Sequence, residues 1–187
     1  ASVYRVLEQG SLTETGNTFD LAINGTGHFI ITLPSGEQAY TRAGNLNVSA
    51  DGEIVTSQGY TVSPGITIPT DAVSIEINED GEVLAKIEGQ IELTNAGQLD
   101  LARFVNPAGL EALGNNLFLE TEASGTATSG FPGDVGFGTL EQGFLEDSNV
   151  DSIGEITRLI TAQRSFELNS RVISTSDEML STISNIR

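Results

Sequence analysis

The last forty residues, 148–187, form the one long segment of this chain with helical periodicity, whereas the residues before them follow β patterns. Apolar residues recur along this segment at steps of three and four, which places them on one stripe of a helix with 3.6 residues per turn. The stripe contains Leu159, Ala162, Phe166, Ile173, Leu180 and Ile183, and a second short row of Ile153, Ile156 and Ile160 widens it at the start. The segment is therefore predicted to be one long amphipathic helix.

The start and the length of this helix follow from local signals. Ser152 and Glu155 have the spacing of a capping box, in which a hydroxyl and a carboxylate bind backbone N–H groups that an opening helix leaves unpaired. At about 1.5 Å per residue, the helix extends roughly 50 Å, which is longer than a small domain is wide. Such a helix needs a partner along its length. Either it folds back over the β part of the chain, or it contacts another helix that this chain does not supply.

Short apolar or alternating runs, separated by glycine-containing turns, occupy most of the chain before the helix. Glycine supplies the positive φ of tight turns, so this pattern is typical of a series of antiparallel hairpins. The clearest turn contains Asp80 and Gly81. Before that turn, Val73, Ile75 and Ile77 alternate with polar residues, and we expect all three to face one side of a half-buried strand.

These patterns predict a mainly β fold class, with a multi-stranded antiparallel domain over 1–147 followed by one long α-helix over 148–187. Asn95 to Gly97 is predicted to be a turn, and the irregular stretch that follows Asn106, rich in Gly and Ser between 125 and 138, a long surface loop. Thr139–Glu146 is expected to be the final strand before the helix.

A four-residue echo links the two ends of the β part. Leu7-Glu8-Gln9-Gly10 matches Leu140-Glu141-Gln142-Gly143. We expect the strands by which the chain enters and leaves the β part to pair side by side.

The charge is strongly negative and unevenly distributed. The formal net charge is −18. Up to Asn149 the chain carries 21 Asp and Glu against 4 Lys and Arg, whereas from Val150 onward it carries 5 against 4. Phosphates would be repelled, so the charge argues strongly against nucleic acid or an anionic membrane surface as a partner. No apolar run reaches the length of about 18 residues that a membrane-spanning helix needs.

Catalytic and metal-binding patterns are weak. Cysteine is absent, and His28 is the single histidine, placed in a predicted strand beside Phe29 with no GxSxG motif in the chain. Glu76, Asn78 and Asp80 alternate as in a calcium loop, but the glutamate that such a loop needs at its twelfth position is missing, and a hairpin explains the same residues better. We therefore expect no enzyme activity, no cofactor and no metal.

Several strings together resemble the axial proteins of the bacterial flagellar basal body and hook. One is LTETGNTFDLAINGTGHFIITLPSGEQAYTRAGNLNVSADGEIVTSQGYTVSP, which is similar to the central β region of that family. The other is QGFLEDSNVDSIGEITRLITAQRSFELNSRVISTSDEML, which is similar to its C-terminal signature. Within the family, PGITIP, VSIEINEDGEV and the moderate length are most similar to the branch that builds the distal rod. His28 departs from the family pattern, which has phenylalanine there.

The resemblance implies a structural subunit that self-assembles into a helical tube and transmits torque from motor to hook. It implies that the helix lies in an inner coiled-coil layer and the β domain outside. The implied assembly residues are Ile156, Leu159, Ile160, Phe166, Ile173, Leu180 and Ile183. The family's N-terminal helix does not occur in these 187 residues, so we expect the chain to be the core and C-terminal part of such a protein.

The implied partners are further copies of the chain, the proximal rod proteins and the hook protein along the axis, the surrounding basal-body rings, and the export apparatus. The implied location is the periplasm-spanning rod, reached through that apparatus without a cleaved signal peptide. One alternative stays open from the residues alone. It is a secreted acidic β domain that binds calcium or glycan, with the helix covering the β part.

Overall fold

The chain divides into two units that are described separately. The computed structural model describes residues 8–90 and 92–185, without the side chains of residues 177 and 180–185. The first unit, Ala1–Ser148, is called the β unit, and the second, Asn149–Arg187, contains a single helix. The described strands all lie in the first unit and pair antiparallel. The predicted fold class is confirmed.

The elements follow one another along the chain as short strands and then one long helix. In order they are β1 (Leu12–Glu14), β2 (Leu21–Asn24), β3 (His28–Thr32), β4 (Gln38–Thr41), β5 (Leu46–Val48), β6 (Ile54–Thr56), β7 (Thr61–Val62), β8 (Ala72–Ile77), β9 (Glu82–Ile87), β10 (Thr94–Gln98), β11 (Leu101–Arg103), a 3₁₀ turn (Pro107–Gly109), β12 (Glu111–Gly114), β13 (Leu117–Leu119), β14 (Thr128–Gly130), β15 (Thr139–Gln142), β16 (Phe144–Glu146) and α1 (Ser152–Asn185).

The largest sheet has nine strands, with β3 at its centre. Along one edge β3 pairs with β4, and along the other it pairs with β7 and β11. The order is β12-β13-β4-β3-β7-β6-β5, and β14 joins through β11. The remaining sheets are small, namely β10-β9-β8, β15-β2 and β1-β16.

Strand β3 is buried on both faces. Phe29 and Ile31 are fully buried in the main core of the β unit, with Leu21, Leu99 and Leu101. The main core also contains Ile23, Ala39, Leu46, Ile54, Val62, Ile66, Ile68, Ile77, Val83, Leu117 and Leu140. On the other face of β3, Ile30 packs with a smaller cluster of Tyr40, Ala102, Phe104 and Leu110. A strand covered on both faces has a continuous apolar sequence, which is why HFII lacks alternation.

The hairpin predicted at Asp80 and Gly81 is confirmed. It joins β8 to β9, and Gly81 has a φ of +81°. The Asn78 side chain closes the turn, because its Oδ1 accepts a hydrogen bond from Glu82 N at 2.8 Å and its Nδ2 donates to Glu82 Oε2 at 2.9 Å. These polar residues stabilise the turn, as the hairpin interpretation requires.

The predicted orientation of Val73 was wrong. Ile77 is buried and Ile75 is partly buried, but Val73 is 67% exposed. The pairing of β8 with β9 shifts register between Ala72 and Ser74. Such a bulge adds a residue to one strand and interrupts the two-residue alternation from which the orientation was inferred.

Two loop predictions were also wrong. Asn95 to Gly97 lies inside β10 as a bulge in its pairing with β9. The stretch after Asn106 contains a 3₁₀ turn and the strands β12, β13 and β14. Strand β13 pairs with β4, and β14 with β11. These strands have only three or four residues each, so the distant pairing partners decide their conformation.

Helix α1 begins where it was predicted, but a different residue caps it. Asp151 is the N-cap, since its Oδ1 accepts a hydrogen bond from Ile153 N at 3.1 Å and its carbonyl oxygen accepts one from Glu155 N at 3.0 Å. Ser152 is already the first residue of the helix. Glu155 turns to Arg158, with 2.6 Å between Oε1 and Nη1, so the predicted capping box does not form.

Candidate functional site: the C-terminal helix and its ribbon

The predicted apolar stripe of α1 is exposed wherever its side chains are described. Its members Ile156, Leu159, Ile160, Phe166 and Ile173 have exposed fractions between 44% for Ile160 and 76% for Phe166. Leu180 and Ile183 belong to the helix, but their side chains lie outside the described residues. Large exposed apolar surfaces on soluble proteins mark interaction sites.

A second apolar row was missed in the sequence. Leu168, Val172 and Met179 are 60%, 65% and 61% exposed. At about 100° per residue they lie roughly opposite Leu159 and Phe166 on the helix. The same three- and four-residue spacing could have revealed this row. A helix that is apolar on two sides suits contact with two neighbours rather than one.

Five hydroxyl groups of α1 donate hydrogen bonds of 2.8–3.1 Å to the carbonyl oxygen four residues earlier in the helix. These belong to Thr157, Thr161, Ser165, Ser174 and Thr175. Because each hydroxyl already has an acceptor, it adds little desolvation cost when the helix is covered by another surface.

The strands by which the chain enters and leaves the β unit do pair, as expected, but the pairing lies just after the echoed residues, since Leu140, Glu141 and Gln142 pair with β2. Strands β1 and β16 form a two-stranded ribbon, with Leu12 opposite Glu146 and Glu14 opposite Phe144. Beyond the last pair, Asp147 N donates a hydrogen bond to Ser11 O at 2.8 Å. The ribbon is the last part of the β unit before the chain continues to α1. Leu7, the first residue of the echo, lies outside the described residues.

His28 is enclosed by aromatic rings. It is 8% exposed, and its ring centroid lies 5.7 Å from that of Phe104 and 6.4 Å from that of Phe118. Burial, reinforced by the charge of Arg42, lowers the pKa of His28 to about 4, and a hydrogen bond to the Ala102 backbone opposes this only partly. The imidazole is therefore neutral at pH 7. Its Nδ1 has no hydrogen-bond partner among the described residues, so its position indicates a packing role.

The part of the chain that the structure describes contains no group of three or more His, Asp or Glu residues placed to hold a metal ion. Across the same residues, no helix combines the length and the apolar character needed to cross a membrane.

The β unit has its own core, and the long helix that follows carries two exposed apolar rows, which defines a protein that interacts through its helix. Two family models match the chain. The model of the flagellar hook protein FlgE/F/G D1 domain matches residues 22–85, and that of the flagellar basal body rod FlgEFG protein C-terminal matches residues 141–186.

Relatives match over the whole chain. The flagellar basal-body rod protein FlgG of Caulobacter vibrioides is 56% identical over 186 residues, covering 100% of this chain and 71% of the relative. FlgG of Borreliella burgdorferi is 46% identical, with the same shares covered. The flagellar hook protein FlgE of Salmonella typhimurium is 34% identical, covering 100% of this chain but 44% of the relative. The chain belongs to the FlgE/F/G family of flagellar rod and hook proteins.

Nothing in these comparisons or in the described residues favours the calcium- or glycan-binding alternative.

Proposed function

We propose that this chain is a structural subunit of the distal flagellar rod, which assembles through α1 into a helical tube and transmits torque from the motor to the hook. The observation that carries the proposal is the exposure of the apolar rows of α1 in a chain whose FlgG relatives match it from end to end. The match to the hook protein leaves more than half of that relative uncovered, which favours the rod branch. No catalytic activity is expected.

The division of labour between the two parts of the chain is also proposed. Residues 148–187 would lie in the inner coiled-coil layer and residues 1–147 outside it. The distribution of charge supports this arrangement, because a nearly neutral segment can be buried between copies at lower cost than an acidic one. Identical subunits related by a helical operator form an open filament. The interface is assigned to Ile156, Leu159, Ile160, Phe166, Ile173, Leu180 and Ile183.

The axial partners would be the proximal rod proteins below and the hook protein above, with the basal-body rings outside. We place the protein in the basal body, in the rod that crosses the periplasm, after passage through the flagellar export apparatus without a cleaved signal peptide. The absence of cysteine suits a chain that is passed unfolded, because no disulfide has to be opened.

Phe166→Ala in the full-length protein tests the proposal. Truncating a phenylalanine that is buried in the assembly costs about 3–5 kcal/mol, so complete rods should be lost while the β unit stays folded. Arg164→Ala, a change of an exposed charged residue on the same turn, is the control and should leave rods intact. Rods are counted by electron microscopy of basal bodies. Normal numbers of complete rods with Phe166→Ala would contradict the packing role.

A further inference from the structure

The ribbon of β1 and β16 is not held to the β unit by buried apolar side chains. No residue of β1 or β16 is buried, and Thr13 and Glu14 are exposed. By contrast, four of the five residues of β3 are buried. Because apolar burial is the main source of tertiary stability, polar interactions have to fix the ribbon. One of them is the hydrogen bond of 2.8 Å from Gly143 N, just before β16, to Asp20 O.

Arg42, which directly follows β4, supplies a charged interaction with the ribbon. Its Nε donates a hydrogen bond to Glu146 Oε2 in β16 at 2.7 Å. Its Nη1 donates to Gly25 O at 3.0 Å and to Gly27 O at 2.9 Å, and its Nη2 donates to Ile23 O at 3.0 Å. One guanidinium therefore joins the ribbon to the turn between β2 and β3.

Glu146 extends the link to the other side of the ribbon. Its Oε1 accepts a hydrogen bond from Gly10 N at 3.0 Å, just before β1. The carboxylate thus contacts Arg42 with one oxygen and the incoming chain with the other. The side chains of Arg42 and Glu146 are 24% and 13% exposed. Pairs that are this well enclosed are screened by salt less than surface pairs, and loss of one partner leaves a poorly solvated charge.

A neutral contact reinforces the same place. Gln9 Nε2 donates a hydrogen bond to Ile23 O at 3.0 Å, and Gln9 Oε1 accepts one from Gly25 N at 2.9 Å. Hydrogen bonds to charged groups are about twice as strong as neutral ones. The Arg42–Glu146 pair is therefore stronger than the neutral link through Gln9.

We propose that Arg42 is a positioning residue that clamps the β1/β16 ribbon, from which the chain continues to α1, onto the β unit. The two residues of the clamp lie in the two segments that match family models, 22–85 and 141–186. The clamp itself does not depend on the proposed function. Its consequence, that a subunit with a released ribbon builds mechanically defective rods, rests on that function.

Hydrogen exchange of the full-length protein in its unassembled state tests the clamp. Glu146→Gln keeps the shape but removes the charge, and Arg42→Lys keeps the charge but removes the planar fork. In both variants the amide of Gly143, which is bonded to Asp20 O of the β unit, and the amide of Gly10, which is bonded to Glu146 Oε1, should exchange at least about tenfold faster, the factor expected when a charge-assisted hydrogen bond is lost. The amides of β3 should keep their rates. Glu155→Gln, which breaks the exposed pair with Arg158, is the matched control and should leave all of these rates unchanged.

Two outcomes would overturn the clamp. One is unchanged exchange of Gly10 and Gly143 in both variants. The other is an equal acceleration in β3, since Arg42 would then stabilise the whole β unit rather than its ribbon. Swimming of cells that carry Arg42→Lys tests the consequence separately. If Arg42→Lys releases the ribbon but the cells swim normally, the clamp is real and has no role in the rod. The Phe166→Ala test addresses only the assembly of rods, so the two results are independent.

Discussion

Gly44 lies directly against the carbonyl group of Leu21. A β-carbon on Gly44 would overlap the Leu21 carbonyl oxygen and come within 2.7 Å of its carbon. The two segments of backbone cannot easily separate, because Leu21 N donates a hydrogen bond of 2.9 Å to Gly44 O and Leu21 is buried in the main core.

Gly44→Ala should therefore destabilise the β unit strongly. Backbone atoms would have to move inside a packed core, and we expect a loss of more than about 3 kcal/mol in the free energy of unfolding. Gly36→Ala is the control, since Gly36 has a φ of +87° but no atom within 4 Å of the added carbon. Its cost is the strain of the left-handed conformation, about 1 kcal/mol. Urea unfolding measures both, and equal losses would show that the contact is not restrictive.

His28 should make the β unit sensitive to acid. The pKa of His28 is lowered from 6.5 to about 4. Below pH 6.5, therefore, the unfolded chain binds a proton at His28, whereas the imidazole of the folded chain stays neutral. The contribution of the neutral His28 to the stability of the β unit is present above pH 6.5 and is lost as the pH falls towards 4. Between pH 7 and pH 5 the loss amounts to about 2 kcal/mol. His28→Phe should remove this part of the pH dependence, as measured by urea unfolding at both pH values. An identical pH dependence in the variant would show that His28 does not carry it.

The second apolar row of α1 should matter for assembly as the first does. Leu168→Ala keeps helix propensity high, so a loss of rods would report on contact rather than on helix formation. We expect fewer complete rods in cells with full-length Leu168→Ala, counted by electron microscopy. In the unassembled protein the same change should alter the stability of the β unit by no more than about 0.5 kcal/mol, as for other exposed positions. Normal rods would restrict the interface to the Phe166 side.

Asp151 rather than Ser152 should control the start of α1. Asp151→Ala removes the cap and should cost about 1 kcal/mol of helix stability, whereas Ser152→Ala should have little effect because Ser152 is inside the helix. Exchange of the Ile153 amide, which Asp151 binds, should become faster in the first variant. A larger loss of helix stability from Ser152→Ala than from Asp151→Ala would instead support the capping box of Ser152 and Glu155.

Much of the architecture was predictable from short-range patterns. Residues close together in the sequence are enough to predict three features. These are the hairpin at Asp80 and Gly81, the start of α1 at Ser152 and the apolar row through Phe166. The missed row through Leu168 obeys the same rule. The errors occurred where the pattern is interrupted. A bulge exposes Val73, and pairing with β11 makes a strand of Thr128–Gly130, whose sequence is typical of a loop.

The sequence by itself determined the type of each long element and the family, because helix and hairpin formation depend on near neighbours and on the periodicity of burial. The tertiary structure decided which strands pair, which residue caps α1 and how the ribbon is fastened. Arg42 and Glu146 are 104 positions apart, and a periodic sequence pattern cannot predict which arginine pairs with which glutamate. That choice is made by the packing of β16, which contains Glu146, near the end of β4, which Arg42 follows.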